Sequence, residues 1–143
     1  MATEDLIVKA INILSDEMRL CMRKYKEQTA DGKALFNLSI TQLHYLHVIK
    51  ERTAPTITEL AEIFAVQKST VTVAVNKLLQ RGFLEKTASQ SDLRVVHVSL
   101  SKQGKRLIEI EDQGYYQFAG QVIQSLTEAE KVEFVKLLQK ITQ

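Results

Sequence analysis

Cysteine, proline and long apolar runs are all scarce in this 143-residue chain, and each scarcity narrows what it can be. A single cysteine, Cys21, excludes an internal disulfide framework and predicts a reducing, cytoplasmic setting. No stretch approaches the roughly 18 apolar residues of a membrane helix. Met1 to Lys9 bring acids before any apolar run, so no secretory leader is expected. Pro55 is the sole proline and low-complexity linkers are lacking, which leaves composition marking no domain boundary. At 45% hydrophobic and 25% charged residues, the sequence reads as one globular domain. It also lacks a glycine-rich phosphate loop, a metal-binding cluster and a nucleophile with a recognisable base partner. No enzymatic activity, bound metal or cofactor is expected.

What is present is an uneven charge distribution. The net charge is only +2. Between Val66 and Arg106, however, eight cations (Lys68, Lys77, Arg81, Lys86, Arg94, Lys102, Lys105 and Arg106) face two acids, Glu85 and Asp92. This segment carries +6 and the remainder −4. Such a block is either a solvated run or the footprint of a phosphate-binding surface, and local structure must decide between them.

Apolar spacing predicts a first helix over about Thr3 to Lys26, buried on two sides, then a connection from Thr29 to Asn37 containing Asp31-Gly32. Ser39-Ile40-Thr41-Gln42 is a capping box opening a second helix, which should end near Arg52 ahead of Pro55. Thr58 reads as the N-cap of a short third helix, Glu59 to Phe64. After Ala65-Val66, a fourth helix runs to about Arg81, stopped by Gly82. Its Val71, Ala74, Val75 and Leu78 form an inward stripe, and Ser69, Thr72, Val73 and Asn76 an outward one flanked by Lys68 and Lys77. Phe83 to Thr87 and Val95 to Leu100 are β-prone and bracket a polar turn, predicting a hairpin. Ser101 caps a long helix to about Ser125, and Thr127-Glu128-Ala129-Glu130 boxes the start of a last one reaching Thr142.

Two short helices followed by a basic hairpin make a winged helix-turn-helix. An amphipathic helix fits the major groove, and hydroxyl and amide groups on Ser69, Thr72 and Asn76 match base edges, with Val73 facing a thymine methyl. Lys68 and Lys77 are placed for phosphates. Arg94, at the hairpin tip, suits a narrow minor groove, with Asp92 two residues earlier as its ion-pair partner. The terminal helices carry more apolar surface than one small lobe can bury: Leu6, Ile7, Ile11 and Leu14, then Val132, Phe134, Val135, Leu137, Leu138 and Ile141. A homodimer is therefore expected.

Several segments, in order, resemble the MarR family over nearly the whole chain: Leu38-Ser39 with Gln42; Ile57-Thr58-Glu59-Leu60-Ala61-Glu62; Lys68-Ser69-Thr70-Val71-Thr72; Leu78 with Gly82; and Asp92-Leu93-Arg94 followed by Leu100-Ser101 and Gly104. The resemblance implies a mainly α fold with a small β-hairpin. Its helical dimerisation region would comprise about 1–36 and 102–143, and its winged lobe about 37–101. A recognition helix is implied at about Gln67 to Gln80. DNA-contacting positions on this reading are Lys68, Ser69, Thr70, Thr72, Val73, Asn76, Lys77, Lys86 and Arg94, with Asp92 stabilising the wing. The implied partners are double-stranded DNA bearing a pseudo-palindromic operator, a second copy of the chain and a small-molecule effector, commonly for a repressor. The alternative is a winged-helix module for protein contacts.

Departures from the family pattern also carry expectations. Ala65 stands where glycine is frequent, so a turn without left-handed backbone is expected. Gln67 is a weak cap, and Leu93 occupies a position often held by a second arginine. Four residues are sensor candidates. His44 and His47 have a spacing compatible with one metal ion, although zinc-responsive relatives add histidines on the fifth helix and this chain has Glu109, Glu111 and Asp112 there. Ordinary helix histidines are the favoured reading. Cys21 resembles a peroxide-sensing cysteine in position, but Ile40 replaces the tyrosine of those sensors and a buried apolar thiol is favoured. Tyr115, with Tyr116 and Phe118, reads equally as a ligand cleft or as core. A subgroup of lipid-synthesis repressors is similar around His44 and Val95-Val96-His97.

Overall fold

The computed structural model describes residues 1–30, 32–33 and 37–143, so Asp31 of the expected Asp31-Gly32 connection lies outside the described residues. In chain order the described elements are α1 (Thr3–Gln28), α2 (Ile40–Arg52), α3 (Ile57–Phe64), α4 (Lys68–Gln80), β1 (Leu84–Ala88), β2 (Val96–Leu100), α5 (Lys102–Ile123) and α6 (Glu128–Ile141). This is the expected mainly α winged helix-turn-helix. The chain divides into two compact units, Lys26–Glu111 and a helical unit of Met1–Tyr25 with Asp112–Gln143.

Side-chain caps set most helix starts. In the expected box on α2, Ser39 Oγ accepts the Gln42 N–H (3.1 Å) and Gln42 Oε1 accepts the Ser39 N–H (2.9 Å). The box on α6 is closed in the same way by Thr127 and Glu130. The cap of α3 differs from expectation. Thr56, not Thr58, is the N-cap: its Oγ1 accepts the Glu59 N–H at 3.1 Å and Glu59 Oε2 accepts the Thr56 N–H at 3.3 Å. Pro55 leads into an extended Thr56 (φ −84°, ψ 165°), and the Thr-x-x-Glu spacing closes there, leaving Thr58 inside the first turn.

The lobe formed by Lys26–Glu111 has a continuous core. Leu46 and Ile49 of α2, Leu60 of α3, Val71 and Leu78 of α4, Val98 of β2, and Leu107 and Ile108 at the start of α5 are all buried. β1 and β2 pair antiparallel from Leu84↔Leu100 to Ala88↔Val96. Val98 N–H donates to Pro55 O (2.9 Å) and Thr56 bridges His97, so the α2–α3 connection lies along the outer edge of β2. Ser101, the expected cap of α5, accepts the Gly104 N–H (3.0 Å) and donates to Gly82 O (2.5 Å). Gly104 itself is dictated by crowding: a β-carbon there would lie 2.1 Å from the Phe83 carbonyl oxygen.

Among the described residues, three that are not glycine adopt left-handed backbone: Thr53 (φ 53°), Ala54 (φ 55°) and Ala65 (φ 53°). Each costs about 1–2 kcal/mol, so each is held by its surroundings. At Ala65 the expectation of a turn without left-handed geometry is overturned. Its N–H donates to Glu62 O (3.2 Å) and that of Val66 to Ala61 O (3.1 Å), which is a Schellman ending on α3 with alanine in the place glycine favours.

In the helical unit, α1 buries only Cys21 and Met22, and α6 buries no residue. Burial of α1 on two sides is therefore not met within a single chain. Leu6, Ile7, Ile11 and Leu14 are exposed, as are Val132, Val135, Leu137, Leu138 and Ile141.

Candidate nucleic-acid interface

The site is built on α4 because that helix has two unlike faces. Val71, Val75 and Leu78 turn inward and are buried, while Lys68, Ser69, Thr70, Thr72, Val73, Asn76 and Lys77 are exposed. Val73 leaves 56% of its surface open, an apolar spot among polar neighbours. Gln67 is extended at the N-cap and makes no side-chain cap bond, so the first N–H groups of α4 have no cap from that side chain. Thr72 Oγ1 donates to Lys68 O (2.9 Å). Its single proton is thereby used inside the helix, and its oxygen faces outward as an acceptor. A free threonine hydroxyl can both donate and accept, and this i−4 back-bond removes the first role.

The hairpin brings further cations to the same lobe. Lys86 on β1 lines a narrow groove of about 140 Å³ together with Thr72, Asn76 and Val96, so strand and helix side chains meet at one surface. The tip is fixed by local bonds: Ser89 N–H to Val95 O at 2.8 Å, Val95 N–H to Asp92 O at 3.0 Å, and the Ser89 and Ser91 hydroxyls 2.9 Å apart. Asp92 Oδ1 accepts both the Arg94 N–H (3.0 Å) and its Nε–H (3.3 Å). The expected ion pair is thus present, and it holds an arginine whose side chain is 93% exposed.

The basic block splits in two. Arg81 donates from a guanidinium nitrogen to Asn37 O (2.9 Å) and lies 5.1 Å over the Phe83 ring, so it is structural. Arg106 pairs with Glu109 (3.7 Å) one turn along α5. Lys68, Lys77, Lys86 and Arg94 remain on the helix and wing.

A sequence model of the MarR family matches residues 38–96, the span from the cap of α2 to the start of β2. An HTH-type transcriptional regulator of Clostridium symbiosum, BilQ, is 28% identical over 104 residues, 73% of this chain and 72% of that one. MdtR of Bacillus subtilis, an HTH-type transcriptional repressor, aligns with all of this chain and 90% of its own length at 22% identity. The crystal structure of Streptococcus pneumoniae FabT in complex with DNA superposes with a TM-score of 0.67 at 25% identity, over 98% of this chain and 92% of that one. The chain is similar to the MarR family over residues 38–96. The relatives it matches are HTH-type transcriptional regulators.

The sensor candidates occupy separate places. His44 meets Phe64 edge-on, with ring centroids 5.2 Å apart, and Phe64 stacks on Tyr45. His47 Nε2 instead lies 2.6 Å from Glu111 Oε2. The two rings go to different partners and do not converge on a common point. Cys21 is buried on α1 beside a hollow lined by Glu17, Lys24 and Gln121. Tyr115 is exposed and lines a shallow groove with Asp112, Tyr116 and Ala119 in the helical unit, so it is not core there. Burial of Tyr45 raises its hydroxyl above the usual tyrosine range.

The reading from sequence missed two histidine contacts. One is the His47–Glu111 contact across 64 residues. The other is His97, whose Nδ1 lies 2.8 Å from Ala54 O. Since a carbonyl only accepts, that nitrogen carries the proton.

Proposed function

We propose that this regulator acts as a homodimer on a pseudo-palindromic operator in double-stranded DNA, as a repressor relieved by a small-molecule effector. The observation that carries the DNA reading is the exposed polar face of α4 adjoining Lys86 on the wing, with Arg94 held outward by Asp92. Ser69, Thr72 and Asn76 read base edges, and Val73 packs on a thymine methyl. With its proton committed to Lys68 O, Thr72 selects a donor edge, the amino group of adenine or cytosine. Lys68, Thr70, Lys77 and Lys86 contact phosphates and set the register. Arg94 enters the flanking minor groove.

The exposed apolar rows on α1 and α6 supply the dimerisation surface. Two lobes then read half-sites about one helical turn apart. Relatives named as repressors support that sign of regulation. The role is regulatory, not enzymatic.

Selection of bound genomic fragments, followed by the salt dependence of affinity for the recovered DNA, tests this reading. A steep fall of affinity with salt and a two-fold symmetric sequence are expected. No enrichment, or an affinity indifferent to salt, overturns it in favour of a winged helix for protein contacts.

A further inference from the structure

Thr72 and Val73 are consecutive on the exposed side of α4, and both side chains are restricted in orientation. Thr72 is fixed because its Oγ1 donates to Lys68 O at 2.9 Å. Val73 is β-branched, and a helix leaves such a side chain one strongly preferred rotamer. With 56% of its surface open, Val73 gains nothing from the core that Val71 and Val75 enter. Lys68 and Lys77 lie one turn before Thr72 and one turn after Val73, so the pair occupies the middle of the reading face.

Each member of the pair is selective in its own way. The committed proton leaves Thr72 an acceptor, which favours a donor on the base edge and is repelled by a carbonyl. Val73 favours a methyl group. In the major groove, cytosine offers the N4 amino donor but only a hydrogen at C5. Thymine offers the C5 methyl, with the O4 carbonyl beside it. An A·T pair carries a donor and a methyl on opposite bases, with O4 between them. No single unmodified base presents an amino donor and a methyl side by side. 5-Methylcytosine does, at C4 and C5 of one ring.

We propose that Thr72 and Val73 together read 5-methylcytosine, so that C5 methylation of one operator cytosine per half-site strengthens binding. Such recognition rests on the DNA-binding reading of α4, which it extends to a covalently modified base. Thr72 Oγ1 accepts from the N4 amino group, and a Val73 methyl packs on the C5 methyl. On unmodified DNA the two preferences fall on separate bases. Asn76 and Lys86, which share a narrow groove with Thr72, keep their contacts to the neighbouring base and phosphate.

The test measures fluorescence anisotropy of the full chain with duplexes of the recovered operator. Each position of one half-site carries cytosine, 5-methylcytosine, uracil or thymine in turn, opposite its ordinary partner. At one position 5-methylcytosine should bind about fourfold more tightly than cytosine, and thymine than uracil, the worth of one buried methyl. There 5-methylcytosine should also exceed thymine by about tenfold, because an amino group replaces the carbonyl facing Thr72. Val73→Ala should abolish both methyl gains. Thr72→Val should remove the advantage over thymine and keep the gain over cytosine. Equal binding of methylated and unmethylated cytosine at every position overturns the inference and leaves DNA recognition standing. A gain that survives Val73→Ala assigns methyl sensitivity to DNA shape or to another residue, and overturns the site. Thymine bound as tightly as 5-methylcytosine overturns the part given to Thr72. Failure to bind any duplex overturns the DNA-binding reading and the base preference with it.

Discussion

His47 Nε2 and Glu111 Oε2 lie 2.6 Å apart, joining α2 to α5 within the lobe, and the Glu111 residue is only 5% exposed. A carboxylate so withdrawn from water depends on its donors. His47→Ala should therefore lower stability by about 1–2 kcal/mol, read as a shift of the urea midpoint at constant slope. His47→Gln, which can still donate, should recover part of the loss. Identical midpoints for Ala, Gln and the native residue would make the contact incidental. Because this ring is engaged with α5 while His44 faces Phe64, chelator should leave the unfolding curve unchanged.

Arg94 and Asp92 form a smaller pair with a different purpose. Both of their bonds lie in the hairpin tip, and the arginine is almost wholly in solvent. An exposed pair of this kind adds little to folding, so its value lies in where it aims the guanidinium. Arg94→Ala should cost about tenfold to a hundredfold in operator affinity, with dimer and unfolding midpoint intact. Asp92→Ala should cost less, since the charge survives but its direction is lost. Equal affinities by fluorescence anisotropy for Arg94→Ala and the native chain would remove the wing from the mechanism.

Thr72 donates to Lys68 O and presents only an acceptor outward. Thr72→Val, which deletes that acceptor while keeping shape, should relax preference at one operator position by about 1–3 kcal/mol. Non-specific binding should be little altered. Asn76→Ala should do the same at a neighbouring position. A uniform drop across all sequences in a binding-site library would assign both residues to the phosphate backbone.

The features legible in the sequence are those whose partners are close along the chain. Ser39 with Gln42, Thr127 with Glu130, and Asp92 with Arg94 each announce a bond by spacing. The alternation Val96, Val98 announces a strand with one face buried. Thr56 was obscured because Thr58 offers a competing cap two residues on, and only the extended backbone after Pro55 decides between them. Contacts made by the fold had no local signal: His47 with Glu111, Arg81 with Asn37, and His97 with Ala54. The left-handed residues were hidden for a related reason. Threonine and alanine do not advertise a conformation that tertiary packing imposes on them.

Ala65 turns that last point into a measurement. Its φ of 53° is a geometry glycine adopts without steric cost. Relief of about 1–2 kcal/mol, less the entropy glycine gains when unfolded, leaves Ala65→Gly stabilising by about 0.5–1 kcal/mol. The urea midpoint should rise with an unchanged slope. A fall would mean that the turn between α3 and α4 is not left-handed in solution.

The surface of the helical unit sets the final expectation. On α6, Val135, Leu138 and Ile141 recur at helical spacing, and all are exposed in a single chain, as are Leu6, Ile7 and Ile11 on α1. Burying each is worth about 1.5–3 kcal/mol, so the two rows together greatly exceed the isolated apolar residues ordinary on a monomer. The native chain should sediment as a dimer at micromolar concentration. Leu138→Glu places a charge in that surface and should yield monomers, because an unpaired buried carboxylate is far costlier than a lost leucine contact. The lobe, with its own core around Leu46, Ile49 and Val71, should keep its fold, so the variant should retain weak, salt-sensitive binding to a half-site and lose affinity for the full operator. A native chain that sediments as a monomer would leave these apolar rows without a partner and remove the paired-lobe geometry on which operator symmetry depends.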